Sequence, residues 1–190
     1  MIYSNKPAFD VILLTETWLC NDIPDSMLDP FCKYSIFRCD RHTTGAESER
    51  GGAVCILVAK PIQCVIVDTQ LKYPSLELCC VDLIDKTQKY RLFVVYRKPN
   101  SGTDSADYMS KLTECFQHYN QVAWPVVITG DFNCPSIDWD NLSVTGDKVQ
   151  EGFLNYCVSG GFIQLVESPT RNKRILDLIL TNEPLCVCVM

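Results

Sequence analysis

The sequence has few histidines, no surplus of positive charge and no long apolar run. It contains 2 histidines, and its 17 lysines and arginines are outnumbered by 23 aspartates and glutamates, for a net charge of −6. This balance argues against a protein that holds nucleic acid by a broad basic surface, because phosphate neutralisation needs lysine and arginine. It leaves room for carboxylates that bind a divalent cation, with basic groups at the rim of the site.

The apolar run near the N-terminus is short. It follows Phe9 and is interrupted by Thr15 and Glu16, whereas a membrane-spanning helix needs about 20 apolar residues. A basic start and a small-residue cleavage site are also missing from this segment. We therefore predict a buried strand here, in a protein that is intracellular, nuclear or cytoplasmic, and neither secreted nor membrane-bound.

The 12 cysteines do not form the paired spacing of a zinc site. Most lie inside apolar runs, such as Cys55, Cys79 and Cys80, where a free thiol packs as a small hydrophobic group. Without a secretory signal, reduced thiols are favoured over disulfides. Cys39 with His42, and Cys186 with Cys188, are the nearest approaches to a metal-ligand cluster, and neither spacing favours zinc.

Length and composition predict one compact domain. Hydrophobic residues make up 47% of the 190 residues and charged residues 21%, which is ordinary globular composition. No repeat or linker-like segment divides the chain, so we expect a single domain over residues 1–190, with residues 45–52 as a surface loop.

Strands dominate the predicted secondary structure. Short apolar runs separated by polar turns predict strands at residues 9–15, 52–59, 62–67, 76–84, 90–96, 125–129 and 175–180. Helical spacing of apolar residues predicts two helices, one after Asp104 through Tyr119 and one from Val149 to Cys157. Asp104 or Ser105 could cap the first helix and Asp147 the second. Several strands are apolar at nearly every residue, which predicts that both faces are covered, as in an α+β fold with a two-sheet β-sandwich flanked by helices.

Side chains that can bind a metal or take part in catalysis follow or lie within several of these strands. They are Glu16, Tyr96 with Arg97, Asp131 with Asn133, and Asp177. Loops at strand ends can converge on a substrate, although a carboxylate in such a place is commonly a turn residue or a helix cap. Asp177 is harder to explain in that way, because it interrupts an apolar strand and a buried carboxylate needs a partner.

In their order along the chain these segments resemble the exonuclease–endonuclease–phosphatase superfamily. The segments are ETWL (16–19), RGGAV (50–54), VYRKPNS (95–101), GDFNCPSIDW (130–139) and SPTR followed by ILDLILTN (168–182). The long string around Asp131, together with the last segment, is similar to the nicking endonucleases of jockey-like non-LTR retrotransposons. The resemblance covers roughly Phe9 to Pro184 and implies a sandwich fold like that of deoxyribonuclease I.

The resemblance implies a role for each strand-end residue. Glu16 would hold a divalent metal, Mg²⁺ or Mn²⁺, while Asp131 and Asn133 would orient the attacking water and the scissile phosphate. Tyr96 would donate a hydrogen bond to the phosphate, and Asp177 would orient a histidine. Arg97, Thr170 and Arg171 are the predicted substrate contacts. Such a site is chemically coherent, because phosphodiester hydrolysis needs a Lewis acid, an activated water and donors aimed at the developing charge.

The sequence departs from the family pattern at both ends. The resemblance implies a strand with a metal-site Asn before residue 9 and a Ser-Asp-His segment after Pro184, and neither is found. We therefore expect a chain truncated at both ends and impaired in catalysis. His118 lies in a helical pattern and His42 in a polar loop, and neither is expected to replace the missing histidine.

Three functions remain open. The first is a DNA-nicking endonuclease that works with a reverse transcriptase domain encoded by the same element. The second is a catalytically inactive fragment or product of a decayed element, which the missing Asn and His would favour. The third is a phosphatase or phosphodiesterase of the same fold that acts on a phosphoinositide, for which the acidic composition leaves room.

Overall fold

A computed structural model describes residues 7–41, 51–85, 88–99 and 103–183, with the side chains of 103–105 left out. The described strands form two principal sheets and one short two-stranded ribbon. In chain order the elements are β1 (Val11–Thr15), α1 (Asp25–Leu28), β2 (Tyr34–Cys39), β3 (Val54–Ala59), β4 (Gln63–Ile66), β5 (Glu77–Ile84), β6 (Lys89–Tyr96), α2 (Thr103–Tyr119), β7 (Val126–Asp131), β8 (Ile137–Asp138), β9 (Ser143–Val144), α3 (Lys148–Ser159), β10 (Ile163–Gln164) and β11 (Asp177–Thr181).

The first sheet has the order β1-β3-β2 and is antiparallel throughout. The second has the order β10-β11-β7-β6-β5-β4, and its neighbours are antiparallel except for the parallel pair β6 and β7. A parallel pair needs a long crossover connection, and α2 lies between these two strands in the chain. Because β6 and β7 run in the same direction, their carboxyl ends meet at one edge.

The two sheets pack face to face, with helices on the outer face of the second sheet. Val54, Ile56 and Val58 of β3 pack against Val81 and Val94 in the layer between the sheets. The opposite face of the second sheet carries the larger core cluster, to which α2 contributes Leu112 and Phe116 and α3 contributes Phe153 and Leu154. This is the α+β sandwich with flanking helices that the strand and helix patterns predicted.

The predicted strands and helices all exist, with small changes of boundary. The structure adds β2, the single turn α1 and the two-residue strands β8, β9 and β10, which have too little periodicity to be found in a sequence. The cap of α3 is also confirmed, because the carboxylate of Asp147 accepts hydrogen bonds from the backbone N–H groups of Val149 and Gln150.

Strand β4 is an exception to the burial of the apolar strands. It is an edge strand in which Val65 is 54% and Ile66 50% exposed. The apolar run therefore reflects β-propensity and not burial.

The described cysteines are free thiols, as predicted. Cys55, Cys79 and Cys80 are buried, and burial raises the pKa of Cys55 and Cys79 to about 12, so that both pack as neutral thiols. The predictions for residues 45–50 and for His42, Cys186 and Cys188 lie outside the described residues, and so do the side chains of Asp104 and Ser105. None of the helices in the described ranges is long and apolar enough to cross a membrane. The single domain stays a prediction.

Candidate functional site

The strand ends singled out by the sequence meet at one end of the sandwich. Tyr96, the last residue of β6, is in register with Asp131 of β7, and Asp131 is in register with Asp177 of β11. Residues paired in register project to the same face of a sheet, and Tyr96 belongs to the layer between the two sheets. Strand β1, which leads into Glu16, packs across this layer against β6 and β7.

Glu16 is held by an unusual backbone conformation. Its φ is 50°, in the left-handed region that few side chains favour. The two residues that follow donate backbone hydrogen bonds to the turn before β3, from Thr17 to Ala53 O at 3.4 Å and from Trp18 to Gly52 O at 3.1 Å. The exposed carboxylate of Glu16 lies close enough to the Tyr96 hydroxyl to raise the pKa of that hydroxyl.

Tyr96 is buried, with 5% of its surface exposed. Burial, followed by the neighbouring Glu16 carboxylate, raises the pKa of its hydroxyl well above the usual range, while the Arg41 guanidinium, 5.7 Å from the ring centroid, lowers it. The hydroxyl therefore keeps its proton at neutral pH and can act as a hydrogen-bond donor. The charge on Asp131 also contributes to this shift, so the two groups lie within electrostatic range.

The fold destabilises the charged form of the Asp131 carboxylate. It is 9% exposed, and burial together with the charge on Asp177 raises its pKa to about 6. Hydrogen bonds from Asn133 and the charge on Arg171 act in the opposite direction. A bound cation would relieve this excess of negative charge.

Hydrogen bonds of Asn133 and Arg97 stabilise the turn that follows β7. The φ of Asn133 is 47°, and its side-chain amide donates to Arg97 O at 2.7 Å, while its backbone N–H donates to Asp131 Oδ1 at 3.1 Å. The Arg97 guanidinium is buried and donates to the carbonyl oxygens of Phe132 at 3.0 Å and Asn133 at 2.9 Å. Arg97 therefore lies inside this turn, where it holds the backbone that follows Asp131. Its contact with substrate stays a prediction.

The position of Asp177 differs from its prediction. It does not interrupt the buried part of a strand; it is the first residue of β11, and it is exposed. The hydroxyl of Thr170 accepts the backbone N–H groups of Leu176 at 3.0 Å and Asp177 at 3.1 Å, which ties the preceding turn to the start of the strand. Arg171 lies exposed in that turn, with its charge in range of Asp131.

His118 does not belong to this site. It lies in the last turn of α2 with its ring 4.8 Å from that of Tyr119, whose carbonyl accepts a hydrogen bond from Arg91 near the start of β6. Arg91 is separated from Tyr96 by roughly 17 Å of extended strand. Among the described residues, no histidine lies beside Asp177, while His42 lies outside them.

An ion pair between Glu77 and Arg41 supports the site, and the sequence patterns did not predict it. Glu77, the first residue of β5, accepts a hydrogen bond from Arg41 Nε at 2.8 Å and another from the backbone N–H of Ala53 at 2.5 Å. The Tyr108 hydroxyl donates to Tyr96 O at 2.8 Å and accepts the backbone N–H of Glu77 at 3.3 Å. A glutamate at the head of a largely apolar strand is the signal that could have identified Glu77.

The donor set fits a divalent cation with an open coordination shell. In the parts of the chain that the structure describes, no three His, Cys, Asp or Glu side chains converge into a metal cage. Mg²⁺ commonly binds one or two carboxylates and completes its shell with water and substrate phosphate. Glu16 and Asp131 are carboxylates of this kind, and the pKa of Asp131 is raised first by its burial and then by the charge on Asp177.

A family profile described as Endonuclease-reverse transcriptase matches residues 90–189, more than half of the chain. The chain belongs to this family. The endonuclease–reverse transcriptase match includes β6, β7 and β11, and with them Tyr96, Asp131 and Asp177. The family is one of nucleases and phosphodiesterases with the exonuclease–endonuclease–phosphatase fold, which generally use divalent metals.

Solved structures share this fold at low sequence identity. The endonuclease domain of TRAS1, a telomere-specific non-LTR retrotransposon, has a TM-score of 0.56 and 15% identity over 90% of this chain and 71% of that one. The human Nocturnin catalytic domain has a TM-score of 0.60 and 14% identity over 92% and 69%. An AP endonuclease from Archaeoglobus fulgidus has a TM-score of 0.59 and 14% identity over 93% and 77%. No curated protein matches the chain.

Proposed function

We propose that this chain is the endonuclease domain of a non-LTR retrotransposon, a metal-dependent phosphodiesterase that nicks DNA. The observation that carries the proposal is the meeting of Glu16, Tyr96, Asp131 and Asp177 at one end of the sandwich. The similarity to the TRAS1 endonuclease domain supports the choice of element. A reverse transcriptase domain encoded by the same element would then be its partner, in the nucleus or cytoplasm.

Glu16 would hold the cation, Mg²⁺ or Mn²⁺, and the Asp131 carboxylate would share its charge. When bound, the cation supplies a Lewis acid for the phosphate oxygens. The Tyr96 hydroxyl keeps its proton and would turn from Glu16 to a phosphate oxygen, where it stabilises the developing charge. Asp131, whose carboxylate accepts a hydrogen bond from the backbone N–H of Asn133, would orient the attacking water. Asp177 would orient a group that carries a proton.

The rim of the site supplies the phosphate contacts. Arg171 is exposed beside Asp131, and Thr170 precedes it in the same turn. Because the net charge is −6, binding would depend on a few such local cations more than on the general field of the protein. Arg97 would contribute by bracing the turn that carries Asp131 and Asn133.

Plasmid nicking tests the proposal. Within the full open reading frame that encodes this chain, we expect conversion of supercoiled to open-circular DNA that requires Mg²⁺ or Mn²⁺ and stops with EDTA. Asp131→Ala should lower the rate at least about 10²-fold, whereas Glu151→Gln, which changes an exposed carboxylate on α3, should leave it unchanged. Nicking that survives Asp131→Ala would refute the assignment of the site.

Two other functions are separated by the same assay. A reading frame no more active than its Asp131→Ala variant would favour an inactive or decayed product. Hydrolysis of a phosphoinositide without nicking of DNA would favour the phosphatase, for which the acidic composition leaves room.

A further inference from the structure

Trp18 is a large aromatic side chain exposed at the edge of the candidate site. Its surface is 58% exposed, although the next residue, Leu19, is 7% exposed and packs with Cys55 and Leu57 of β3. It follows Glu16 by two residues, and the carboxylate of Glu16 is a neighbour of the Tyr96 hydroxyl. The indole therefore lies next to the residues proposed to hold the cation and the phosphate.

The backbone holds this indole outward. Trp18 has a φ of 56° and Glu16 a φ of 50°, and non-glycine residues adopt such left-handed conformations at an energetic cost. The hydrogen bonds from Thr17 to Ala53 O and from Trp18 to Gly52 O maintain the conformation. The position of Trp18 is thus set by the loop, without burial of the ring.

The double glycine before β3 forms the support of the loop. A Cβ added at Gly51, where φ is 106°, would lie 3.7 Å from Trp18 Nε1, so the edge of the indole rests against this turn. A Cβ added at Gly52, where φ is 76°, would collide with the Arg41 guanidinium and the Glu77 carboxylate. The ion pair beneath the turn therefore fixes the surface on which the indole rests, and a fixed aromatic loses little freedom when it binds a ligand.

We propose that Trp18 stacks on a nucleobase beside the scissile phosphodiester and selects nucleic acids over phosphate esters that lack a base. This inference rests on the proposed function, since it assigns a contact to the same substrate. Phosphate contacts carry no information about the bases, whereas every base offers a π-face to an aromatic side chain. A chain of net charge −6 gains little from nonspecific electrostatics, so stacking would supply a contact that does not depend on positive charge.

Binding to two matched probes tests this contact without catalysis. The full chain is titrated in EDTA with a labelled short oligothymidylate and with an abasic oligomer of the same length and charge. Since stacking contributes about 1–3 kcal/mol per base, we expect the wild-type chain to bind the oligothymidylate roughly tenfold more tightly. Trp18→Ala should abolish this preference and leave the affinity for the abasic probe unchanged, while Trp18→Phe should keep most of it.

Phe31→Ala is the matched control. Phe31 is 78% exposed and precedes β2 at the end of the first sheet remote from Glu16, because the start of β2 lies beside Ala59 and the start of β1 beside Val58. This variant should bind both probes as the wild type does. A loss of base preference in Phe31→Ala equal to that in Trp18→Ala would refute a specific contact at Trp18.

The remaining outcomes separate this inference from the proposed function. Equal wild-type affinity for the two probes would refute stacking and leave phosphodiester recognition intact. If Trp18→Ala weakened binding to both probes and lowered the midpoint of thermal unfolding, Trp18 would be a folding residue and the inference would be wrong. Binding to neither probe would also refute it, while the nicking assay judges the proposed function separately.

Discussion

The two ends of strand β6 differ in how their charges are balanced. Near its start, the Arg91 guanidinium donates to both carboxylate oxygens of Asp82, at 2.7 Å each, and to the carbonyl of Tyr119. At its other end, Asp131 lies beside Tyr96 and opposite Asp177, a second carboxylate. The first end neutralises its charges within the fold, whereas the second keeps negative charge that needs a proton or a cation. We therefore expect the first end to contribute stability and the second to carry the proposed chemistry.

Arg91→Met should have the largest effect on stability. Arg91 is 8% exposed, and its removal would leave the largely buried carboxylate of Asp82 without its cation. Because breaking a buried pair typically costs about 3–5 kcal/mol, we expect a loss of about 3 kcal/mol in the free energy of unfolding, measured with urea. Lys111→Met breaks the exposed pair with Asp107 and should change it by less than about 0.5 kcal/mol. Similar losses in the two variants would contradict the comparison.

Tyr96→Phe should lower activity with little change in stability. It removes a hydroxyl that lies near the exposed carboxylate of Glu16. Loss of one preorganised donor typically lowers the rate about 10²-fold or more, so nicking by the full reading frame should fall by about that factor. Tyr90→Phe, on the same strand, removes a hydroxyl that bonds only the exposed Gln88 among the described contacts and should have no effect. Full activity in Tyr96→Phe would exclude Tyr96 from the chemistry.

Asp131→Asn should raise stability in a pH-dependent way. The pKa of Asp131 is raised from 3.8 to about 6 by burial and by Asp177, so the folded protein binds this proton more tightly than the unfolded chain does. The penalty for the charged form is therefore absent below about pH 4, grows between pH 4 and 6 and is complete above pH 6. In EDTA at pH 8, the variant should be more stable by on the order of 2 kcal/mol.

The gain should disappear near pH 4, where Asp131 is protonated in the wild type as well. Thermal unfolding over this pH range measures it. Asp177→Asn should show a smaller gain in the same direction, because it removes the neighbouring charge but not the burial of Asp131. A gain in stability that is independent of pH would show that the fold does not destabilise the charged form of Asp131.

Glu77→Gln should have the smallest effect. The substitution keeps a side-chain oxygen that can accept the backbone N–H of Ala53 but removes the charge that pairs with Arg41. The side chains of this pair are 15% and 19% exposed, so we expect a loss of about 1 kcal/mol in the free energy of unfolding. Glu151→Gln on the exposed face of α3 is the control. Equal free energies of unfolding for the two variants would show that the pair of Glu77 and Arg41 does not stabilise the site.

Local patterns were sufficient to find the main strands and the two long helices. The apolar runs of β3, β5 and β6 and the helical spacing before Tyr119 were correct because burial and periodicity were both strong in them. The apolar pattern did not show that the edge strand β4 is exposed. It also placed Asp177 in the interior of a strand, because an apolar residue on each side does not show where a strand begins.

The sequence by itself determined the order of the motifs and the side chains that could perform chemistry. Glu16, Tyr96, Asp131 and Asp177 were all identified by their positions after or within apolar runs. Only the tertiary structure decided that they meet, because the register of β6, β7 and β11 and the packing of β1 across them bring together residues far apart in the chain. The tertiary structure also decided their electrostatics. Burial, the facing carboxylate of Asp177 and the hydrogen bonds from Asn133 set the pKa of Asp131, and these depend on distances that a linear pattern does not contain.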